Sequence, residues 1–546
     1  MFSKKNGVHT CMIKRRDFIK QSLQATGALA LGVAWSSCAQ PKKISGTIGT
    51  PNYKIGHMLR NFSLPQTNEI IKTDCVVIGG GVSGLAASRK LKQLNIDHVL
   101  LELENKAGGN AQAGSTSVGA YPFGAHYVTV PTLHDKEYLD FLQSCKLITS
   151  FEKGLPVLND YHVCFDLKER LYIHGQWQEG LLPLQGLSKQ ELAGIQRFEE
   201  QTHYYKNYTG KDGLPAFTLP LAYSSRDPEL LQLDAVSFAA WLQSKNIHGK
   251  ALYWYLNYCM ADDYGGTIDT VSAWAGLHYF ASHQAKAFNV DEDAVLTWPE
   301  GNNWLVQHLK QQAGATIKTG QLVYQVEEKS NALHLRVFDI EAANWVLYET
   351  QHIISCVPQF VNQHMLQGID RKVNTQAYTY APWVVANAVV DTDAMHGFGV
   401  ELAWDNVIYD NDSLGYVHAN HQQVAQRNIT GKSNITYYKP LVKQDAKVAR
   451  ESMMKTTYQQ WYDTIVADLK IPHPQIESNL HQLDVWLWGH GMIRPSVGFI
   501  NRPTAKLDKQ SYRHRIHFAH TDLVGISVFE EGFYSGTQAA LQVLQA

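Results

Sequence analysis

The chain has little of what would mark it for several function classes. Only 18% of its 546 residues are charged, 48 basic against 50 acidic, for a formal net charge of −2. No long basic run interrupts that balance, which argues against nucleic acid as a partner. Its seven cysteines are scattered without CxxC pairs, so neither a zinc site nor a disulfide framework is indicated. Cys75 and Cys356 lie in apolar, strand-like runs and read as buried reduced thiols. Repeats and low-complexity tracts are lacking as well. What remains is a 45% hydrophobic, globular composition, long enough for about two to four domains or subdomains. Composition leaves the oligomeric state open.

The chain is organised around Asp74-Cys75-Val76-Val77-Ile78-Gly79-Gly80-Gly81-Val82-Ser83-Gly84, an apolar run that stops in glycines. It reads as a buried strand entering a phosphate-binding turn. Gly79, Gly81 and Gly84 stand at GxGxxG spacing: the first permits the turn, the second admits a pyrophosphate to the backbone, and the third lets a helix pack on the strand. A helix expected from Leu85 to Leu94 then aims its free N–H groups, with Val82 and Ser83 at its entrance, at the anion. His98-Val99-Leu100-Leu101 reads as the second parallel strand and ends in Glu102, placed to hold ribose hydroxyls. The bland alternative is an incidental turn followed by a surface glutamate.

Three further segments carry a family resemblance. Glu102 to Asn110, with Gly108 and Gly109, resembles the "E-x-x-x-x-x-G-G-R" run of the flavin-containing amine oxidase superfamily, with Asn110 in place of the arginine. Trp298-Pro299-Glu300-Gly301 resembles the opening of that superfamily's second flavin segment, which continues into the strand Gln321 to Val326 and the closing strand His352 to Pro358. Arg515 to Asp522 followed by Glu530-Glu531-Gly532 resembles "R-I-x-F-A-G-T-E … E-G-A" at the C-terminus. The resemblance implies an α/β fold: a discontinuous Rossmann-like FAD-binding domain, with a substrate domain of mixed β-sheet plus helices. It implies FAD as cofactor, held noncovalently because Trp486 to Met492 lacks the tethering cysteine of monoamine oxidases. It also implies cofactor contacts at Val323 through its backbone, at Asp522 near the ribityl and pyrophosphate region, and at Glu531 and Gly532 where a helix begins.

In the superfamily the reaction is hydride transfer from a substrate carbon to flavin, here expected from the C–N carbon of an amine. A desaturase or isomerase of an apolar lipid or isoprenoid, and a flavin-bearing binding protein without turnover, are the alternatives. Two residues are catalytic candidates. His364 stands where monoamine oxidases carry a water-holding lysine, and could equally be a surface or core histidine. Phe529 matches one wall of their aromatic cage, the opposite wall falling at the non-aromatic Gly491-Met492-Ile493, and could equally be a core aromatic. Phe123 or Pro122 stands at an acid position near the flavin ring. Asp262 and Asp263 could provide the carboxylate a cationic amine needs, or serve as caps and surface acids, with Asp269 suited to cap a helix from about Thr270. His514, His517 and His520 lie on one strand-like run with the middle one facing away, and read as structural.

The N-terminus stands apart. Lys14-Arg15-Arg16-Asp17-Phe18-Ile19-Lys20 resembles a twin-arginine export signal, and Ala25 to Trp35 has the length of a signal core, too short for a stable membrane span. Trp35-Ser36-Ser37-Cys38 resembles a lipoprotein cleavage box, against simple cleavage or an uncleaved anchor. The resemblance implies the twin-arginine machinery as a partner and a periplasmic protein, with Cys38 the candidate lipid site. The expected organisation is a signal segment over 1–38, a linker over 39–70, FAD-binding segments over 71–130, 291–365 and 486–546, a helical insertion over 131–290, and a substrate sheet over 366–485 with a covering helix from Lys447 to Leu469.

Overall fold

The computed structural model describes residues 44–545, apart from 62–65, 68, 315–316, 372–374 and 423–430. The export and lipidation residues, Cys38 included, lie outside them. Two sheets carry the fold, and the α/β expectation is met. In the first, parallel strands Ile317–Lys318, His98–Leu101, Glu69–Ile78 and Asn344–Ser355 stand side by side, and Ile516–Phe518 also pairs in parallel with Asn344–Ser355. Leu333–Asp339 and Gln321–Glu328 extend the sheet antiparallel. The strand Cys75 to Ile78 is buried on both faces, as its unbroken apolar run requires. Helix Val82–Gln93 covers it, starting three residues before the expected Leu85.

The second sheet has eight strands in the order Ile48–Gly49, Leu480–Ile493, Tyr380–Asp391, Lys432–Pro440, Gly415–His418, Asp405–Ile408, Glu169–Ile173, Gln176–Glu179. Several boundaries move accordingly. The 131–290 segment is not simply a helical insertion: Glu169–Ile173 and Gln176–Glu179 form a hairpin at the sheet edge, joined by His174 and Gly175, both at positive φ as a tight hairpin turn requires. Helices Lys189–Asn207, Lys250–Tyr264 and Ala273–Ala281 follow it. Ser272, not Asp269, caps the last of these, accepting from the Ala275 N–H. The covering helix is two, Ala446–Lys455 and Tyr458–Lys470, because Thr457 and Gln460 form a capping box that starts a new helix. Strand Leu480–Ile493 runs straight through the expected boundary at 485.

Residues 45–61 correct the linker expectation. Ile48 and Gly49 pair with Val485 and Trp486, and Thr47 donates from its N–H and Oγ1 to Asp484 Oδ1 at 3.0 and 2.9 Å. The glycines that suggested flexibility serve close approach instead. A Cβ on Gly46 would lie 1.8 Å from the Leu483 carbonyl oxygen, and one on Gly49 would lie 2.2 Å from the Trp486 ring.

Candidate active site

A cavity of about 1070 Å³ opens where the glycine loop meets the second sheet, at the upper end of small-molecule pockets and roomy enough for a dinucleotide. Its walls include Gly79, Gly81, Val82, Ser83, Glu102, Gly109, Asn110, Val323, Asp522 and Gly532. Gly79 takes φ +95°. A Cβ on Gly81 would meet nothing nearer than the Gly109 Cα at 4.0 Å, so this backbone faces open cavity, whereas a Cβ on Gly84 would lie 1.8 Å from the Gly79 carbonyl oxygen. Gly84 therefore serves the helix packing, not the cavity. No side chain caps helix Val82–Gln93, so its first N–H groups are free to meet an anion. These observations fit a dinucleotide.

Glu102 receives the Gly80 N–H at 2.5 Å and the Glu104 N–H at 2.8 Å. Burial still pushes its carboxyl up to about 7, a penalty that ribose hydroxyls donating to it would relieve. Asp522 behaves in the opposite way. Burial alone would raise it, but His520 at 3.0 Å, the Tyr380 hydroxyl and the Gln359 N–H at 3.0 Å hold it below the ordinary carboxylate range. Helix Phe529–Leu544, also without a side-chain cap, begins three residues before Gly532 and lies against the glycine-loop helix, where a Cβ on Gly536 would come within 1.9 Å of the Ser83 carbonyl oxygen.

A smaller chamber of about 140 Å³ adjoins this cavity, sharing Asn110, Ala125, Trp488, Gly491, Met492 and Phe529 among its walls. Strand register builds one side. Trp383 stands opposite Trp488 and Val385 opposite Tyr438, and residues two apart on a strand share a face, so Trp383, Val385, Tyr438 and Trp488 all line the chamber. Tyr127 and His126 face them, with the His126 ring 4.9 Å from that of Tyr438. Burial pulls His126 and His283, both lining residues, down to about 4.

The chamber's remaining feature is acidic. Asp262 and Asp263 sit in the last turn of helix Lys250–Tyr264, which Gly265 ends in the left-handed conformation. Glu530 joins them, accepting from Thr129 Oγ1 at 3.3 Å. The Tyr127 hydroxyl donates to Asp263 Oδ1 at 3.3 Å, while Oδ2 is enclosed without a partner. Burial raises both aspartates, Asp262 most, since Asp263 repels its charge, and Asp263 to about 7. Among the described residues no cation pairs with either.

Residues 77–143 match the NAD(P)-binding Rossmann-like domain family. Two amine oxidases are similar in fold: putrescine oxidase bound to putrescine superposes with a TM-score of 0.62 at 14% identity, covering 87% of this chain and 100% of that one. The chain has the flavin amine oxidase fold. Cyclohexylamine oxidase from Brevibacterium oxydans superposes at 0.61 with 13% identity over 87% and 99% of the two chains, and a fatty acid isomerase from P. acnes at 0.60 with 14% identity over 85% and 97%. In sequence, an L-amino acid dehydrogenase from a Synechocystis species is 22% identical over 270 residues, 48% of this chain and 52% of that protein. The chain thus spans about half the length of this curated relative.

The two catalytic candidates part company. Phe529 lies at the junction of cavity and chamber, its ring 6.2 Å from Tyr138 on the core side. His364, on the helix Gln359–Met365, lines the large cavity and not the chamber. Glu531 lines neither: its carboxylate accepts from the Leu221 N–H, and burial lifts it to about 7. It points toward the core because neighbours in a helical turn diverge, and Glu530 faces the chamber instead. Gly108 stays outside the walls, turning the chain at φ +144°. Phe123 stacks on Trp486 at 4.4 Å and also stays outside both spaces.

Proposed function

We propose that this chain is an FAD-dependent oxidoreductase acting on an amine, with noncovalent FAD in the large cavity and the substrate nitrogen in the small chamber. The observation that carries the reading is the pair Asp262 and Asp263, enclosed beside aromatic walls without a cation. Burying two carboxylates without a counter-charge is costly, and an arriving ammonium offsets that cost. Tyr127, Trp383, Tyr438 and Trp488 line the same space, and aromatic rings add attraction for a cation there.

FAD, when bound, supplies the acceptor for the hydride lost from the carbon beside nitrogen. The chain's residues do the rest. Backbone at Gly79, Gly81, Val82 and Ser83 faces the diphosphate, Glu102 the ribose, and Val323 the adenine side. The aspartates hold the ammonium and take the proton that the nitrogen sheds, which suits a carboxyl held near neutrality. The substrate leaves as an iminium ion, one proton having gone to a carboxylate and one hydride to the acceptor. Asn110 and Gly491 border both spaces, so the reacting carbon would sit where they meet.

Chamber chemistry also favours a simple amine over the substrates named for two of the similar proteins. An amino acid brings a carboxylate, and among the described residues the only basic groups in the chamber wall, His126 and His283, are held neutral. A fatty acid brings the same charge toward three acids. At about 140 Å³ the chamber matches a cavity that holds benzene, roughly 150 Å³, so the group it takes is a short alkyl or single-ring amine end. The test is anaerobic mixing of FAD-loaded protein with short amines, amino acids and unsaturated fatty acids: flavin bleaching by amines alone supports the reading, and bleaching by either acid class but no amine overturns it. Residues 1–38 are proposed to direct export by the twin-arginine route to the periplasm, with Cys38 as lipid anchor.

A further inference from the structure

The large cavity has a wall that the glycine loop does not explain. Residues 50–60 run across it, and Thr50, Asn52, Tyr53, His57 and Arg60 line it. The segment is fastened at both ends and in the middle. Gly49 pairs with Trp486 of the second sheet, the Asn52 N–H donates to Glu104 Oε1 at 2.7 Å, and the Tyr324 hydroxyl donates to the Asn61 carbonyl. Glu104 follows the ribose acid by two positions and Tyr324 follows Val323, so both inner attachments are at the adenosine end. The segment bridges the two sheets over the site rather than trailing away from it.

Charge gives this bridge a role. A diphosphate brings about two negative charges toward walls that already hold Glu102, Glu104 and Asp522, and a helix N-terminus offsets roughly half a charge. Asn110, where the resemblance expects arginine, adds none. Among the lining cations, Arg450 is occupied by the Gly489 carbonyl at 2.5 Å and the Tyr380 carbonyl at 3.4 Å, whereas Arg60, Lys447 and Lys455 are exposed and form no ion pair among the described residues, and of these Arg60 alone belongs to the bridge. The turn His57–Arg60 packs against helix Gln359–Met365, and Val357, just before that helix, would lie 2.9 Å from a Cβ on Gly79, so one helix links the turn carrying Arg60 to the phosphate-binding loop.

We propose that residues 50–60 are the outer wall of the dinucleotide site and that Arg60 supplies the phosphate charge Asn110 lacks. The inference rests on FAD binding but not on the amine reading. Two measurements on the full chain test it. Trypsin cuts after Lys54 and Arg60, both exposed; FAD should slow both cuts at least about tenfold relative to apoprotein, and equal rates overturn the wall. Flavin-fluorescence titration of Arg60→Ala should show FAD affinity down about tenfold with a shallower salt dependence, Arg60→Lys restoring most of it. Riboflavin, which lacks the phosphates, should bind the variant and the parent alike. Unchanged FAD affinity, or equal loss for both ligands, overturns the role of Arg60. Failure of the parent chain to bind FAD at all overturns the cofactor reading and this inference together, while FAD binding without amine turnover leaves the inference standing on these readouts.

Discussion

Replacing Asp263 by asparagine removes one charge of the pair and nearly nothing of its shape. On the proposed function, an ammonium in the parent's chamber is desolvated and faces two carboxylates. Removing one partner of a buried ion pair costs about 3–5 kcal/mol. Asp262 remains to hold the cation, so the lower end applies, and at 1.4 kcal/mol per decade about 3 kcal/mol is roughly a 100-fold fall in kcat/KM for amines. The pH profile adds a signature. Because burial lifts the Asp263 carboxyl to about 7 and Asp262 further, both keep their protons below neutrality and the pair then attracts an ammonium only weakly. The parent's kcat/KM should therefore rise through about pH 7, a limb that Asp263→Asn flattens. Stability moves the other way. A carboxyl raised on folding contributes stability that is fully present below its ordinary range and lost as pH rises through the folded value, so the variant should melt higher than the parent at pH 8. Anaerobic stopped-flow of flavin bleaching and thermal melts across pH are the assays. Unchanged kcat/KM with the same pH limb would refute the assignment of the ammonium to this pair.

Other perturbations separate cofactor, fold and export. Gly81→Ala has open space and should fold with unchanged melting while FAD affinity falls at least about tenfold, whereas Gly84→Ala drives a methyl into the Gly79 carbonyl and should leave little folded protein; equal melting of the two would refute the division. Asp522→Asn should lower stability by about 2–3 kcal/mol at pH 7. Since folding depresses the Asp522 carboxyl, its contribution is present above the ordinary carboxylate range and lost as pH falls through the folded value, so urea unfolding from neutral to acid pH should lose part of its slope in the variant. Changing Arg15 and Arg16 together to lysine should leave the folded protein in the cytoplasm by cell fractionation, and undiminished periplasmic protein would refute the export signal.

Local chemistry explains what the sequence could convey. Strand Glu69–Ile78, the turn after it and helix Val82–Gln93 are specified by neighbouring residues, through an apolar run, glycines at fixed spacing and a period of 3.6. Burial of Cys75 and Cys356 follows from the same runs. The aromatic walls of the chamber are different, because Trp383, Tyr438 and Trp488 meet only through the register of three strands separated by long loops. Gly491 and Met492 do line the chamber, but these aromatic rings come from Trp488 on the same strand and from the two strands beyond it. Residues 45–61 follow the same logic: glycine signals flexibility locally, but at Gly46 and Gly49 it answers to a neighbouring strand 437 positions away.

Asp262 and Asp263 make the same point about function. At the end of a helix beside Gly265, two acids look like ordinary polar termination, and acids near a helix C-terminus are in fact disfavoured by the helix dipole. Local physics therefore gives no reason to put them there, and burial against Tyr127 makes matters worse for both charges. A chain that folds despite such a cost at one place, in a space adjoining a nucleotide cavity, gains stability by filling that place with a cation. The amine reading is the ligand that removes the largest electrostatic penalty in the chamber, and it predicts that amines raise the melting temperature of the parent protein but not of the double variant Asp262→Asn and Asp263→Asn.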